Sequence, residues 1–546
     1  MKPWIGLNAA MTQDGRRQID GAVAILLDGK IHSLPQERLS RRKHDGGVAI
    51  ALHYVLEGFG LDFGDIERFV ISTSGEPTPG REAPVHLRPD GRLTLQDLGV
   101  EPDRIEWRNS HHESHAFEAI FAARNVGTLS LPALIFVADR VGQPGEHQSY
   151  YRFDGNKLEL IHRDPAIAGC LNGLGETYDR ITRHLGWREQ IDAGKTMALA
   201  GLANSSTGPD ARLFFDCRDG AILSLLPRDE EISIAILARL CPARPAPERL
   251  LDEGAALAAR LQGELEAAVI AALAPLIGAI RPRILLCGGG LATNCRLLGR
   301  LSGAFPDLAV QGSLAPGDTG QGIGNLVAAY FRRFGKLPGE ADPLGGFWRK
   351  GDGWDFCPQT LDRIPLRGAD RHIVPILGDD ADADQAANRL AKGDILATMA
   401  GVHEPGPRAL GFHSLLADAR DADLRHVLNA IVKEREAFRP FGAMMEKRAF
   451  DRFFGPSPSA APFMDLALPA SPEFKALYPA AIHADGSSRV QVLGRMHEGS
   501  FVARLLRVLA EQHGVEAVIN TSLNPKAKPI LYEAASLADF RQQNFD

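Results

Sequence analysis

"ALIFVADRVGQPGEHQSYYRFDGNKLELI", residues 133–161, carries the pattern from which the fold is read. A six-residue apolar run stops at Asp139, and two alternating runs then meet at Asp154-Gly155. Asp-Gly between alternating runs is a tight hairpin turn, because both central positions take positive φ there. A strand followed by a hairpin is therefore expected. The same order occurs earlier: "WIGLNAA" (4–10) precedes "VAILLDGKIHSL" (23–34), with Asp28-Gly29 at the turn. Two strand-plus-hairpin openings, each followed by helical stretches, predict a duplicated α/β unit of the kind that clasps a nucleotide between its halves.

At 546 residues the chain exceeds one core and predicts at least two domains. A formal net charge of -7 argues against general polyanion binding, although a local basic pocket can still grip a small phosphate. Six cysteines (Cys170, Cys217, Cys241, Cys287, Cys295, Cys357) show no C-x-x-C spacing, which fits free thiols in a reducing, cytoplasmic setting. No charged-then-apolar leader opens the sequence. The longest apolar run, Ala267–Ile280, is too short to cross a bilayer and predicts a buried helix, so no membrane partner is expected. "RRFGKLPGEADPLGGFWRKGDGWDFCP" (332–358) is rich in Gly, Pro and charge and opens a break in texture. The resulting division is a first domain at 1–345, a linker at 346–370 and a second domain at 371–546.

"NSHHESHAFEAIFAARN" (109–125) has the apolar spacing of an amphipathic helix. His111 and His115 are four apart and share a face, so their rings can converge on one ion, while His112 points elsewhere. Asp139 ends an apolar strand and Asp318 lies in the glycine-rich "LAPGDTGQGIGNLVAAY" (314–330), so both can face a central cleft. Two imidazoles and two carboxylates suit divalent iron, manganese or zinc. Three loops are candidates to face a ligand: Lys195 after Gly194, the run Gly288, Gly289 and Gly290 after an apolar strand with Asn294 beyond it, and the glycine-rich loop of Asp318.

In the second domain, "HEPGPRALGFHSLLADAR" (403–420) holds Arg408 behind a stiff Pro-Gly-Pro turn. "NAIVKEREAFRPFG" (429–442) adds Lys433 and Arg439, and the three together make a small-anion grip. Arg489 in "SSRVQVL" (487–493), with Asn520, Thr521, Ser522 and Asn524 in "VEAVINTSLNPKAKPI" (515–530), supplies short polar groups suited to a phosphate or ribose.

Taken in order, "QERLSRRKH", "HHESH", "GKTMALA", "CGGGLATN", "APGDTGQGIG", "GPRALGFHSLLADAR", "KEREAFRPF" and "NTSLN" resemble the O-carbamoyltransferases, from about residue 4 to residue 530. The resemblance implies a duplicated actin-like (ASKHA) N-terminal domain and an α+β YrdC-like C-terminal domain. It also implies that ATP, with Mg2+, and carbamoyl phosphate become a carbamoyl-adenylate in the second domain, where Arg408, Lys433 and Arg439 match carbamoyl-phosphate positions and Arg489 and Ser522 lie near the nucleotide. The carbamoyl group then passes to an acceptor hydroxyl in the first domain, where His111, His115, Asp139 and Asp318 match iron(II) ligands and Lys43 a basic position beside the adenylate. A stiffly held Arg408 serves catalysis by holding its anion with little ordering cost.

Three departures stand out against that pattern. Ile19 replaces a histidine, leaving Asp20 as the group at hand to deprotonate an acceptor. His413 replaces an arginine and would weaken one phosphate contact, and Ala527-Lys528 replaces Gly-Glu in the nucleotide loop. They motivate a second reading, a nucleotide-binding relative that regulates or scaffolds another enzyme. Small-molecule substrates are expected. An acceptor in nucleic acid, such as a hydroxymethylated nucleobase, has no positive support from the charge balance, and a homodimer is the family-level expectation.

Overall fold

The computed structural model describes residues 2–9, 19–72, 85–88, 90–108, 110–140, 142–143, 145–204, 212–339, 364–366, 371–401, 403–532, 537 and 540. The expected linker at 346–370 lies outside the described residues apart from 364–366, as does Cys357. The other five cysteines are free thiols.

The first hairpin forms where it was expected, with Asp28 at φ 49° and Gly29 at φ 80°. Strands β1 (Trp4–Asn8), β2 (Ala22–Leu27), β3 (Lys30–Pro35), β4 (Arg68–Ser72) and β5 (Ile105–Trp107) make one sheet in the order β3-β2-β1-β4-β5. Its first three strands are antiparallel neighbours, while β4 and β5 run parallel to β1. The chain then builds β6 (Ala133–Ala138), β7 (Gln148–Phe153) and β8 (Leu158–Arg163), a small hairpin of β9 (Phe215–Arg218) and β10 (Ala221–Ser224), and finally β11 (Ile284–Gly288) and β12 (Ala309–Gln311). The second sheet has the order β12-β11-β6-β7-β8. Strand for strand, and sense for sense, it repeats the first. This is the duplicated actin-like arrangement.

In each copy the fifth strand leads to a helix: β5 to His111–Asn125 and β12 to Gln321–Phe334. The two helices cross each other between the sheets and bury nearly all their residues, with Phe117, Ile120, Ile323, Leu326 and Val327 in one apolar cluster. Gly324 makes the crossing close, since a side chain there would meet the Ser114 carbonyl at 1.9 Å. The helix Ala255–Ile280 is longer than the apolar run suggested, and by length and composition alone it could cross a membrane. Its buried residues end at Leu273, and Leu276, Ile277 and Ile280 only rim the core, so the expected buried helix is buried along its first part only.

The second lobe is α+β. Strands β13 (Ile364–Pro365), β14 (His372–Leu377), β15 (Ile395–Met399), β16 (His413–Asp418), β17 (Gly442–Met445), β18 (Leu466–Pro469), β19 (Ser487–Val492) and β20 (Ala517–Ser522) form a mixed eight-stranded sheet, ordered β13-β14-β15-β16-β20-β17-β19-β18. The two lobes meet along a seam that is partly apolar, where Leu314 packs with Leu410, Phe412 and Met464, and partly polar. Buried Arg38 donates to the carbonyls of Gly406 (2.7 Å) and Glu404 (3.3 Å), the His403 ring lies 3.2 Å from the Ser33 carbonyl, and Gly312 N–H donates to Asp465 at 2.6 Å.

Candidate functional site

Ser110 caps the helix His111–Asn125 by accepting from Glu113 N–H at 3.0 Å, and the Glu146 carboxylate accepts from the N–H groups of His111 (3.0 Å) and His112 (3.2 Å). With its first turn fixed, the helix brings His111 Nε2 and His115 Nε2 to 3.1 Å, while His112 turns away to Ser149 Oγ at 2.8 Å. Asp139 Oδ2 stands 3.0 Å from His115 Nε2, and Asp318 Oδ1 3.1 Å from His111 Nε2. The crossed distances are 3.7 and 3.5 Å, and all four ligand atoms lie within 4.8 Å of one another.

A divalent ion with bonds of about 2.1 Å sets its ligand atoms about 3.0–3.4 Å apart, so this donor set fits such an ion. Burial disfavours a charged imidazolium, yet Asp318 and Asp139 outweigh it and push His111 up to about 10. Burial likewise works against the Asp139 carboxylate, but the two imidazoles hold it well below the usual range.

Gly288, Gly289 and Gly290 pack against the elements of this cluster. A side chain on Gly289 (φ 79°) would strike the Ala138 carbonyl at 2.3 Å, and those on Gly288 and Gly290 would press on the His115 carbonyl and on Asp139 Oδ1, each at 3.1 Å. Glycine therefore lets β11 close against the elements that carry two of the ligands. Asn294 is also spent internally. It caps the helix Cys295–Ala304 by accepting from Leu297 N–H at 3.0 Å and pairs with Gln262 at 3.0 and 3.1 Å. Sequence spacing could not separate a cap from a ligand contact.

Across the seam stands a group of cations. Arg408 donates to the Thr293 carbonyl of the first lobe at 2.8 Å. Lys433 is buried, with Nζ bonded to Asn524 Oδ1 (2.7 Å), the Asn524 carbonyl (3.2 Å) and the Ser522 carbonyl. Burial first, then Arg435, Arg439 and Lys43, depress its ammonium well below the ordinary lysine range. Burial, with Arg408 and Arg439 among its neighbours, brings Arg489 down to about 9. Lys43 is solvent-exposed yet flanked closely by protein, which together with Arg439 across the seam lowers its ammonium. These mutual effects mark Lys43, Arg408, Lys433, Arg439 and Arg489 as one electropositive region built from both lobes. Arg435, which sequence reading passed over, belongs to it as well. It donates to Asn429 Oδ1 at 2.7 Å and lies 4.4 Å from the centre of the Phe441 ring.

The other residues expected near the nucleotide have protein partners of their own. Asn520 is buried within the sheet and donates to Gln491 Oε1 (2.7 Å) and the Ala409 carbonyl (3.1 Å). Ser522 and Asn524 hold each other and Lys433. Lys195 bridges Asp192 (3.5 Å) and, across the seam, Glu436 (3.0 Å).

The family model "Carbamoyltransferase C-terminus" matches residues 387–546. Nodulation protein U of Rhizobium tropici is 30% identical, over 95% of this chain and 92% of its own length. The chain belongs to the O-carbamoyltransferase family. Carbamoyl transfer is the reaction class of this enzyme. It is also 27% identical to the 3'-hydroxymethylcephem-O-carbamoyltransferase of Amycolatopsis lactamdurans (92% of this chain, 91% of that one) and 29% identical to nodulation protein NolNO of Sinorhizobium fredii (94% and 75%). A nucleotide-bound HypF structure overlaps 60% of this chain and 46% of its own at 11% identity and a TM-score of 0.38.

Two departures of this carbamoyltransferase change meaning in the structure. His413 Nδ1 lies 2.6 Å from the Leu531 carbonyl, and burial depresses the ring below the ordinary histidine value, so in neutral form it ties the C-terminal segment to β16. Ala527 takes the left-handed φ of 57° that a glycine would adopt without strain, and Asn524 Nδ2 holds the turn through the Lys528 carbonyl at 2.6 Å. At the third, Ile19, the neighbouring Asp20 is paired with an imidazole after all: His44 Nδ1, at 2.9 Å.

Proposed function

We propose that the chain is an ATP-dependent O-carbamoyltransferase working in two steps. In the second lobe, Arg408, Lys433 and Arg439 hold carbamoyl phosphate, and Arg489 and Ser522 face the nucleotide, as carbamoyl-adenylate forms and pyrophosphate leaves. Half-buried guanidinium groups and the buried Lys433 ammonium would stabilise the negative charge that builds on the transferring groups, and Arg408 is pre-positioned by its proline-flanked turn and its bond to Thr293. In the first lobe, an acceptor hydroxyl attacks the activated carbonyl, with Lys43 beside the adenylate. A divalent metal held by His111, His115, Asp139 and Asp318, iron(II) on the resemblance, would supply Lewis acidity toward the adenylate phosphoryl oxygen. The acceptor class is a small-molecule hydroxyl, in keeping with the named substrate of the cephem relative.

The observation that supports this reading is the joining of charged groups of both lobes at the seam, where Arg408 donates to the Thr293 carbonyl at 2.8 Å and Lys195 pairs with Glu436 at 3.0 Å. The test is pyrophosphate release by the purified protein with ATP, Mg2+ and carbamoyl phosphate. Release dependent on carbamoyl phosphate is expected; binding of ATP without turnover would defeat the reading. Arg408→Ala should lower that release by about 10²–10³-fold. Its thermal midpoint should stay close to that of the unaltered protein, because the side chain is only half-buried.

A further inference from the structure

Two loops meet beside the metal-type cluster. Gly21 N–H donates to the Asp45 carbonyl (2.9 Å), Gln36 N–H to the Gly21 carbonyl (2.8 Å), and His44 N–H to Glu37 Oε2 (2.8 Å). The lock holds Asp20 (φ 63°) and His44 (φ 57°) in left-handed backbone, a strain of about 1 kcal/mol or more at each that persists only where surrounding structure enforces it. Within it, Asp20 Oδ1 grips His44 Nδ1 at 2.9 Å.

This dyad also has a fixed address. Asn8 Nδ2 donates both to the Asp20 carbonyl (3.0 Å) and to the Asp318 carbonyl (3.2 Å), so one side chain separates it from a residue of the four-membered cluster. The loop that carries His44 also meets the second lobe: Arg38 donates to the Gly406 carbonyl (2.7 Å) and Arg41 to the Ile530 carbonyl (3.0 Å). The dyad therefore lies on the side of the first lobe that faces the second. His44 Nε2, on the side of the ring away from Asp20, is shielded from solvent and meets no hydrogen-bond partner among the described residues. Glu37 is close enough to suggest a second ion site with Asp20 and His44, but its carboxylate is engaged by Arg38 and by His44 N–H. An imidazole with one nitrogen tied to a carboxylate and the other facing a reacting proton is the arrangement of a general base.

We propose that His44, oriented by Asp20, is the general base that takes the proton of the acceptor hydroxyl, doing in this chain what the residue at Ile19 cannot. The inference rests on the carbamoyl-transfer reading above. The hydroxyl proton passes to His44 Nε2 as its oxygen forms a bond to the carbamoyl carbon. The bond from that carbon to the bridging phosphate oxygen breaks, AMP leaves with the electron pair, and the imidazolium returns its proton to water.

Water can serve as the acceptor in the test. The full-length protein is mixed with ATP, Mg2+ and carbamoyl phosphate in single turnover, and pyrophosphate, acid-quenched carbamoyl-adenylate and AMP are followed separately. His44→Gln is expected to form pyrophosphate within about twofold of the unaltered rate, to accumulate the adenylate and to release AMP about 10²-fold more slowly. Asp20→Asn should slow AMP release about tenfold, and Ile19→His added to His44→Gln should recover part of the loss. AMP release by His44→Gln at the unaltered rate, or equal loss of both steps, overturns the assignment of His44. Absence of pyrophosphate from the unaltered protein would instead overturn the reading on which it rests.

Discussion

The first strand of each half of the N-terminal lobe ends at the same place in its sheet and does a different job there. β1 ends in Asn8, a neutral amide that ties the Asp20 and Asp318 backbones together; β6 runs into Asp139, a carboxylate facing two imidazoles. The duplicated framework supplies equivalent positions, and the choice of side chain decides whether a position carries ionic chemistry or scaffolding. The halves are also mixed within the site, because the helix after β5 brings His111 and His115 while the loop after β12 brings Asp318. The centre belongs to neither copy alone.

Making the second half resemble the first should have the largest effect. Asp139→Asn keeps the shape but removes the charge that balances the imidazoles, so metal bound per chain, read by elemental emission, should fall at least about tenfold, and transfer about 10²-fold or more. Retained metal would separate Asp139 from the cluster. Next in size is Gly324→Ala, which places a methyl group against the Ser114 carbonyl at the crossing of the two helices. Denaturant unfolding should show a loss of about 2–4 kcal/mol, since backbone faces backbone and cannot yield.

The smallest effect concerns Glu118, which joins the helix of one half to the loop of the other by accepting from Ala315 N–H at 3.0 Å. Burial pushes its carboxyl up to about 7, above the unfolded value of 4.5, so the folded state carries a penalty fully present above pH 7 and relieved as pH falls through that range. Glu118→Gln should therefore be about 1–3 kcal/mol more stable than the unaltered protein at pH 8, a gain that should shrink as pH falls through 7 and vanish below about pH 4. A gain that does not depend on pH would mean that folding leaves the carboxyl unshifted.

The duplication was legible because Asp28-Gly29 and Asp154-Gly155 each mark a hairpin, although the second loop runs over four residues, 154–157, and of its Asp-Gly pair only Gly155 takes positive φ (99°). The convergence of His111 and His115 was legible for a similar reason, since helical spacing alone puts them on one face. Residues with two equally good local uses were not. Asn294 and Asn520 look like ligand donors in sequence, but Gln262 and Gln491 claim them from 32 and 29 residues away. The glycines at 288–290 have the spacing of a phosphate loop, and only the packing of β11 on β6 shows what they clear. His44 was hidden because its partner Asp20 lies across a loop crossing set by long-range backbone bonds.

Arg38 lies in the first lobe yet spends its guanidinium on two carbonyls of the second, inside the segment that presents Arg408. A chimera that exchanged only the C-terminal lobe between relatives would have to bring carbonyls of its own to the same two points. Exchange of the C-terminal lobe alone would therefore leave Arg38 against carbonyls whose placement its own lobe does not set.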